Sequence, residues 1–365
     1  MKHHTSKTIL LIFCLFLSFS VKCVGNAQET HCYAEQLLRW KGSLFTGDTN
    51  AVYRIDPGKT WECITDFGFR GVFFAEGDTV YFAASDHGNT AIISYHTLTK
   101  QTETLFHSKA NAYLLGKRGD HLYYLEQEQG REPYEGKILK SYHLLSGETK
   151  KIADNIGKGV YWNGTFLLCG MATDIRPVWI GILNDKDQIQ ILDAYCNSNF
   201  VVSDEGVFYW TYQMQDEMTW DGTTLVLFTE SQKKDVIRLE GKYLTISSLG
   251  KIRNVFYASY WEEKNSRTVT ISIDLETGLY SQTILPEENS TFEIFCDGEI
   301  WYWYSLATHS LYLAQYSEKS DEMSYLFLCT LPPKVILYGI YNDTVYFCQY
   351  DIPNVRTLCT IDLQD

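Results

Sequence analysis

An all-β chain built from repeated four-stranded sheets is predicted by three observations. Aromatic residues make up 15% of the sequence, with 26 Tyr, and β-branched residues are frequent. Such side chains pack well on pleated surfaces. A turn followed by an apolar-aromatic strand recurs along the chain, and each copy is followed by a hairpin shaped like "ISIDLETGLYSQTIL" (Ile271 to Leu285). No amphipathic helix of convincing length follows the first 27 residues.

The recurring strand reads "GDTVYF" from Gly77, "GDHLYY" from Gly119, "NGTFLL" from Asn163 and "DEGVFYW" from Asp204. It continues as "RNVFYASY" from Arg253, "DGEIWYWY" from Asp297 and "NDTVYFCQY" from Asn342, with "KGSLFTG" from Lys41 as a first copy. The equivalent positions Leu44, Val80, Leu122, Phe166, Val207, Val255, Ile300 and Val345 are spaced by 36, 42, 44, 41, 48, 45 and 45 residues. A period of this length with several short strands per unit predicts a single β-propeller, one four-stranded antiparallel blade per repeat. Helical repeats would need apolar spacings of three and four, whereas these units alternate or run continuously apolar.

One unit can be laid out strand by strand. Residues 111–118 form the inner strand A, 121–127 strand B, 137–145 strand C and 148–153 the outer strand D. Gly119 and Gly147 fall in the A–B and C–D turns, where tight hairpins need positive φ. Eight units are counted, or seven if the first is too degenerate to form a blade. The last supplies A, B and C and then stops at Asp365. An unpaired outer edge is a liability, so the segment near His31 to Glu35 is expected to supply the missing D strand and close the ring. That placement would bring Cys32 within disulfide reach of Cys359.

The patterns "VYF…IISYHTLTKQTETLF" and "LYY…ILKSYHLLSGETKKIA" resemble secreted bacterial β-propellers of uncharacterised function. Those are distantly similar to the YWTD propellers of the low-density lipoprotein receptor and to TolB-like propellers. No YWTD tetrapeptide occurs here, so the resemblance implies the fold and no particular ligand.

Residues 1–27 read as a signal peptide and 28–365 as the propeller. Lys2 and Lys7 precede an apolar run of about 14 residues, Thr8 to Val21, and the small residues Gly25 and Ala27 suit cleavage before Gln28. The run is short for a membrane span, which needs about 20 residues. Export or cell-surface display is expected, without a transmembrane segment in the mature chain. Lipidation at Cys23 is the alternative, disfavoured because Lys22 rather than a small residue precedes it. Cleavage removes three lysines and no acid, moving the net charge from −14 to −17. Such a field repels a phosphate backbone, which excludes nucleic acid as the natural partner. Eight cysteines remain, none in a CxxC pair, so zinc-ribbon and thioredoxin chemistry have no support.

Enzymatic signatures are sparse. "SDEGVFYW" (Ser203 to Trp210) approaches a sialidase box in the wrong register. "AVYRIDPGKTW" (Ala51 to Trp61) echoes a quinoprotein docking motif that no other unit repeats. No Gly-x-Ser-x-Gly elbow and no His-Glu-x-x-His helix is present, and no cofactor or metal is expected.

Variable loops on a rigid scaffold are where binding usually resides. The B–C loops bring Arg131, Tyr134, Arg176, Asp216, Trp220, Asp221, Trp261, Glu262, Tyr350 and Arg356 toward one rim, and these are the candidate ligand-binding residues. Rings with carboxylates and guanidiniums suit a glycan or a peptide. The expected function is a non-catalytic, monomeric binding scaffold for an extracellular protein, peptide or glycan. The alternative is a carbohydrate-active enzyme, a glycoside hydrolase or polysaccharide lyase, using acidic residues in the central funnel.

Overall fold

A computed structural model describes residues 31–363, except Lys59 and the segments 87–88, 128–135, 172–177, 198, 215–219, 230–231, 241–245, 263–264, 288–289, 298–299, 318–321 and 353–354. The described residues form strands and turns, with every named element a β-strand. No helix among them is long and apolar enough to cross a membrane.

The strands fall into antiparallel four-stranded blades in sequence order. Blade 1 is Leu37–Trp40, Ser43–Gly47, Val52–Asp56 and Thr60–Thr65; blade 2 is Gly68–Glu76, Thr79–Asp86, Asn89–His96 and Gln101–Ser108. Blade 3 starts with Asn111–Arg118, His121–Gln127 and Lys137–His143, and blade 4 ends with Thr165–Gly170, Trp179–Leu183 and Ile189–Ala194. One 14-residue strand, Thr149–Trp162, serves as D of blade 3 and A of blade 4, so these two blades make a single seven-stranded sheet. Blades 5 and 6 run from Val201 to Glu240 and from Ser247 to Gln282, and blade 7 from Phe292 to Thr330. Blade 8 has three strands, Val335–Tyr341, Thr344–Ile352 and Val355–Asp362.

The hairpin turns have the chemistry that their sequence announces. In the turn after Arg267–Asp274, the Asp274 carboxylate accepts the backbone N–H groups of Glu276 and Thr277 at 3.0 and 2.7 Å. Gly278 then takes φ +69°, a left-handed conformation that costs glycine little.

The described residues divide into two compact units, 195–294 and 31–194 with 295–363. In the smaller, Phe208, Trp210 and Leu225 of blade 5 pack on Phe256, Ile271 and Ile273 of blade 6. In the larger, Phe45 and Val52 of blade 1 pack on Phe73, Phe82 and Tyr95 of blade 2. Phe74 of blade 2 shares one core with Leu114 and Tyr124 of blade 3 and Phe166 of blade 4, and meets the Tyr161 ring edge-on at 5.2 Å. Tyr304 and Leu311 of blade 7 meet Leu337, Val345 and Phe347 of blade 8. Fully burying one such side chain contributes about 1.5–3 kcal/mol, so these sheet-on-sheet cores dominate the stability.

The two chain ends meet differently from expectation. His31–Glu35 does not complete blade 8; it pairs antiparallel with strand A of blade 2, setting Cys32 opposite Ala75. Cys359, on the third strand of blade 8 opposite Phe347, is in no disulfide, so the expected Cys32–Cys359 staple is not formed. A five-residue strand carries little register information, and the backbone hydrogen bond from Gln36 N–H to the Gly71 carbonyl, at 3.0 Å, fixes it on blade 2. Blades 1 and 8 instead join face to face, Leu37, Leu44 and Ile55 packing on Tyr338, Tyr346 and Cys348.

Asp48 latches that junction. Its carboxylate, only 6% exposed, accepts Asn50 N–H and Ala51 N–H at 2.8 and 3.0 Å and Leu358 N–H of blade 8 at 3.2 Å. Asp48→Ala strands these donors and is expected to cost about 2–3 kcal/mol. A lower urea midpoint at unchanged m-value checks it.

At the A–B and C–D end, Asp187 of blade 4 ties itself to blade 3. It accepts Arg118 Nη2–H at 3.0 Å, Tyr123 O–H at 2.8 Å and Lys150 Nζ–H at 3.0 Å. Burial alone would raise this carboxyl, but the Tyr123 and Lys150 hydrogen bonds outweigh it and hold it below the usual carboxylate range. The stabilisation is therefore present above the unfolded value of about 3.9 and is lost as pH falls through the lower folded value. Asp187→Asn should be less stable than wild type at pH 7, with the gap in melting temperature closing on strong acidification.

Candidate functional site

Strand A opens each blade at the B–C and D–A end, and in blades 2, 3 and 4 one of its residues lies at or beside the level of the fifth residue of strand B. In blade 3 that residue is Tyr113, opposite Leu125; in blade 4 it is Lys158, opposite Cys169. In blade 2 it is Arg70, following Phe69, which is opposite Ala84. The A strand of blade 3 lies against those of blades 2 and 4, so the larger unit carries a row of Arg70, Tyr113 and Lys158.

A fourth side chain, Lys137, reaches into this row from the start of strand C in blade 3. It is opposite Ile156, beside a register shift in its own strand, and the facing strand has another shift between Ile156 and Lys158. Bulges of this kind re-aim side chains. The Lys137 ammonium lies 5.5 Å from the Tyr113 ring centroid and donates to the Gly157 carbonyl at 2.8 Å. Among the described residues no carboxylate pairs with it. A Cβ at Gly157 would meet Met171 Sδ at 2.7 Å, so Met171 packs directly on this glycine.

Burial pulls the Lys137 amine below the ordinary lysine range, and the like charge of Lys158 adds to the effect. The neighbouring thiol does not compensate at neutral pH. Burial pushes Cys169 up to about 12, so it stays protonated. The arrangement is a desolvated amine beside a second cation and an aromatic ring, a setting that favours the neutral amine relative to an exposed lysine.

The acid at this end is differently disposed. Glu126, at the end of strand B in blade 3, accepts Ser108 O–H at 2.6 Å and pairs with Lys140. Its side chain is 11% exposed and that of Lys140 22%. A carboxylate held this way is a fixed counter-charge rather than a proton shuttle.

The loop residues singled out from the sequence are not drawn into one described cluster. Arg131, Tyr134, Arg176 and Asp216 lie outside the described residues. Trp220 and Asp221 begin strand C of blade 5, and Arg356 lies in blade 8 opposite Tyr350, with their side chains outside the description. Trp261 is 45% exposed at the end of strand B in blade 6. Glu262 beside it accepts Arg267 Nε–H at 2.8 Å and Asn265 Nδ2–H at 2.6 Å within its own hairpin. Tyr350 is half-buried and donates its backbone N–H to the Lys334 carbonyl at 3.0 Å.

Arg70, Tyr113, Lys137 and Lys158 were not singled out, although one signal for them exists. Aligning the units on their Gly-Asp or Asn-Gly turns puts Tyr113 in the column of Gly157, and only the bulge between Leu114 and Gly116 brings Tyr113 level with Lys158. Lys137 opens an apolar strand with no acid at the neighbouring pairing positions.

No family model and no curated protein matches the chain. Solved structures do. The β-propeller domain of the Trilobed protease from Pyrococcus furiosus is 11% identical at TM-score 0.47, covering 80% of this chain and 93% of that one. A post-proline cleaving enzyme from Rickettsia typhi is 12% identical at TM-score 0.52, covering 89% and 58%. The polysaccharide lyase Uly1 is 10% identical at TM-score 0.49, covering 85% and 92%. The fold is a β-propeller.

TolB is among the similar structures, while the YWTD likeness finds no support there. The chain spans little more than half the length of the post-proline enzyme. Prolyl endopeptidases and polysaccharide-degrading lyases stand among the similar structures. These neighbours are mostly enzymes, which counts against the expectation of a non-catalytic binding scaffold; at 9–12% identity they show the fold and assign this chain no activity.

Proposed function

We propose that this propeller is a carbohydrate-active enzyme, a polysaccharide lyase cleaving a uronate-containing glycan by β-elimination. The observation that carries the reading is Lys137, half-buried over Tyr113, with the Gly157 carbonyl as its acceptor and Lys158 as the charge beside it. Elimination needs a base for the proton α to the uronate carboxyl group and a cation to stabilise the charge that develops there. The Lys137 amine, in its deprotonated form, takes the C5 proton, and Lys158 offsets the growing negative charge on the carboxyl oxygens. The C5–H electrons form the C4=C5 double bond as the C4–O bond breaks. The Tyr113 phenol or water returns a proton to the leaving oxygen.

A lyase fits better than the hydrolase form of the alternative. Hydrolysis calls for two carboxylates in separate roles, and Glu126 is committed to Lys140 and Ser108. The net charge of −14 does not steer an anionic chain inward. Screening over about 10 Å at 0.1 M salt leaves the local cations to decide recognition at contact. Action outside the cell is part of the proposal, supported by the leader-like residues 1–27.

Mass spectrometry of products from a panel of uronate polysaccharides tests the reaction type. Elimination gives a new non-reducing end one water lighter than the hydrolytic product. Products carrying the added water, or no cleavage of any member of the panel, would sink the proposal.

A further inference from the structure

The arginines of this chain differ in how their guanidinium groups are occupied. Arg54 donates to Asp56 at 2.6 Å and also reaches Tyr95 and the Thr97 carbonyl. Arg118 is held by Asp187 and two carbonyls, and Arg267 by Glu262. Arg70 has one hydrogen bond, from Nη2–H to Ser85 Oγ at 2.9 Å, and its Nε–H is buried without an acceptor. Among the described residues no carboxylate contacts it.

Its backbone is specialised as well. Strand A of blade 2 breaks register between Phe69 and Phe73, and Gly71, directly after the arginine, takes φ +97°. Only glycine adopts that conformation without strain. The irregular turn sets Arg70 at the level of Tyr113 and Lys158, on the neighbouring A strand of the row. A buried guanidinium N–H without an acceptor costs free energy that packing alone does not explain. The Nε–H itself is shut off from solvent, so an arriving carboxylate meets the Nη edge of the guanidinium, whose planar array of donors matches carboxylate oxygens.

We propose that Arg70 is a carboxylate-recognition residue, forming with Ser85 a subsite for an acidic sugar next to the one processed at Lys137. The inference rests on the lyase reading for its choice of sugar, and deepens it by giving the enzyme a preference for consecutive acidic residues over isolated ones. Arg70 makes no contact with reacting atoms. Its effect is on binding and therefore on KM, with kcat little changed.

The test compares binding of an oligogalacturonate and of the matching neutral galactose oligosaccharide by calorimetry. The proteins are the full chain, Arg70→Met and Arg70→Lys, each also in a Lys137→Met background so that turnover does not interfere. Heat unfolding verifies that every variant is folded, and Arg70→Lys guards against misreading a lost side chain as a lost charge. Wild type should prefer the acidic ligand, Arg70→Met should weaken it about 10- to 100-fold and erase the preference, and Arg70→Lys should fall between. The neutral ligand should bind all three alike. Preference unchanged in Arg70→Met overturns the inference, even where elimination is observed. Preference lost in Arg70→Met with no elimination by wild type upholds the subsite and removes the lyase reading instead. No preference in wild type overturns the inference outright.

Discussion

Lys137→Met abolishes eliminative cleavage, lowering kcat by about 10³-fold or more, as expected when a positioned base is removed. The ultraviolet absorbance of the unsaturated product reads this directly. Met keeps the length and apolar stem of lysine, so Tyr113 retains its packing partner and the bulged strand its shape. Because the folded amine lies below the ordinary lysine range, the native state holds the proton less tightly than the unfolded chain. The charged amine therefore costs stability at neutral pH, and the cost disappears as pH rises past the unfolded value of about 10.4. The variant should unfold at a similar or higher temperature than wild type at pH 7, and the comparison should move in favour of wild type toward pH 10. A stabilised but inactive variant separates a functional lysine from one that merely supports the fold.

Glu126→Ala destabilises the larger unit by about 3 kcal/mol. The substitution leaves the Lys140 ammonium, 22% exposed, without its carboxylate, and it deprives Ser108 O–H of its acceptor. Breaking one partner of a largely buried pair typically costs about 3–5 kcal/mol, and the lower end suits a lysine still touched by water. Replacing both Glu126 and Lys140 with leucine should recover most of the loss, since the desolvation of both charges disappears together. Urea midpoints of the single and double variants check the prediction. An additive double variant would show that the two groups do not act as a pair.

Much of the fold was legible because it is encoded locally. The turn at Asp274 to Gly278 hydrogen-bonds to itself, and His143 and His96 accept backbone N–H groups at the matching places, so each hairpin is set by residues close in sequence. Repetition of that unit, with Val80, Leu122 and Val345 fully buried at equivalent places, predicts the blades, with eight favoured over seven. The joining of the ends was not legible. Whether His31–Glu35 pairs with blade 2 or with blade 8 depends on contacts hundreds of residues apart, such as Asp48 with Leu358. The site was hidden for a related reason. Attention to loops favoured Trp261 and Glu262, whereas the cation row lies on strands. Lys137, Lys158 and Arg70 read in sequence as ordinary solvated strand positions. Only the register shifts beside them turn Lys137 inward and leave Arg70 without a carboxylate.

The pH dependence of kcat/KM for elimination tests the central claim most directly, that a desolvated amine at position 137 takes the substrate proton. The account predicts a rising limb with an apparent pKa below that of free lysine, about 10.4, in wild type. Residual activity in Lys137→Met should lack this limb. A limb that persists unchanged in Lys137→Met, or a wild-type rate independent of pH across the range in which lysine titrates, would contradict it.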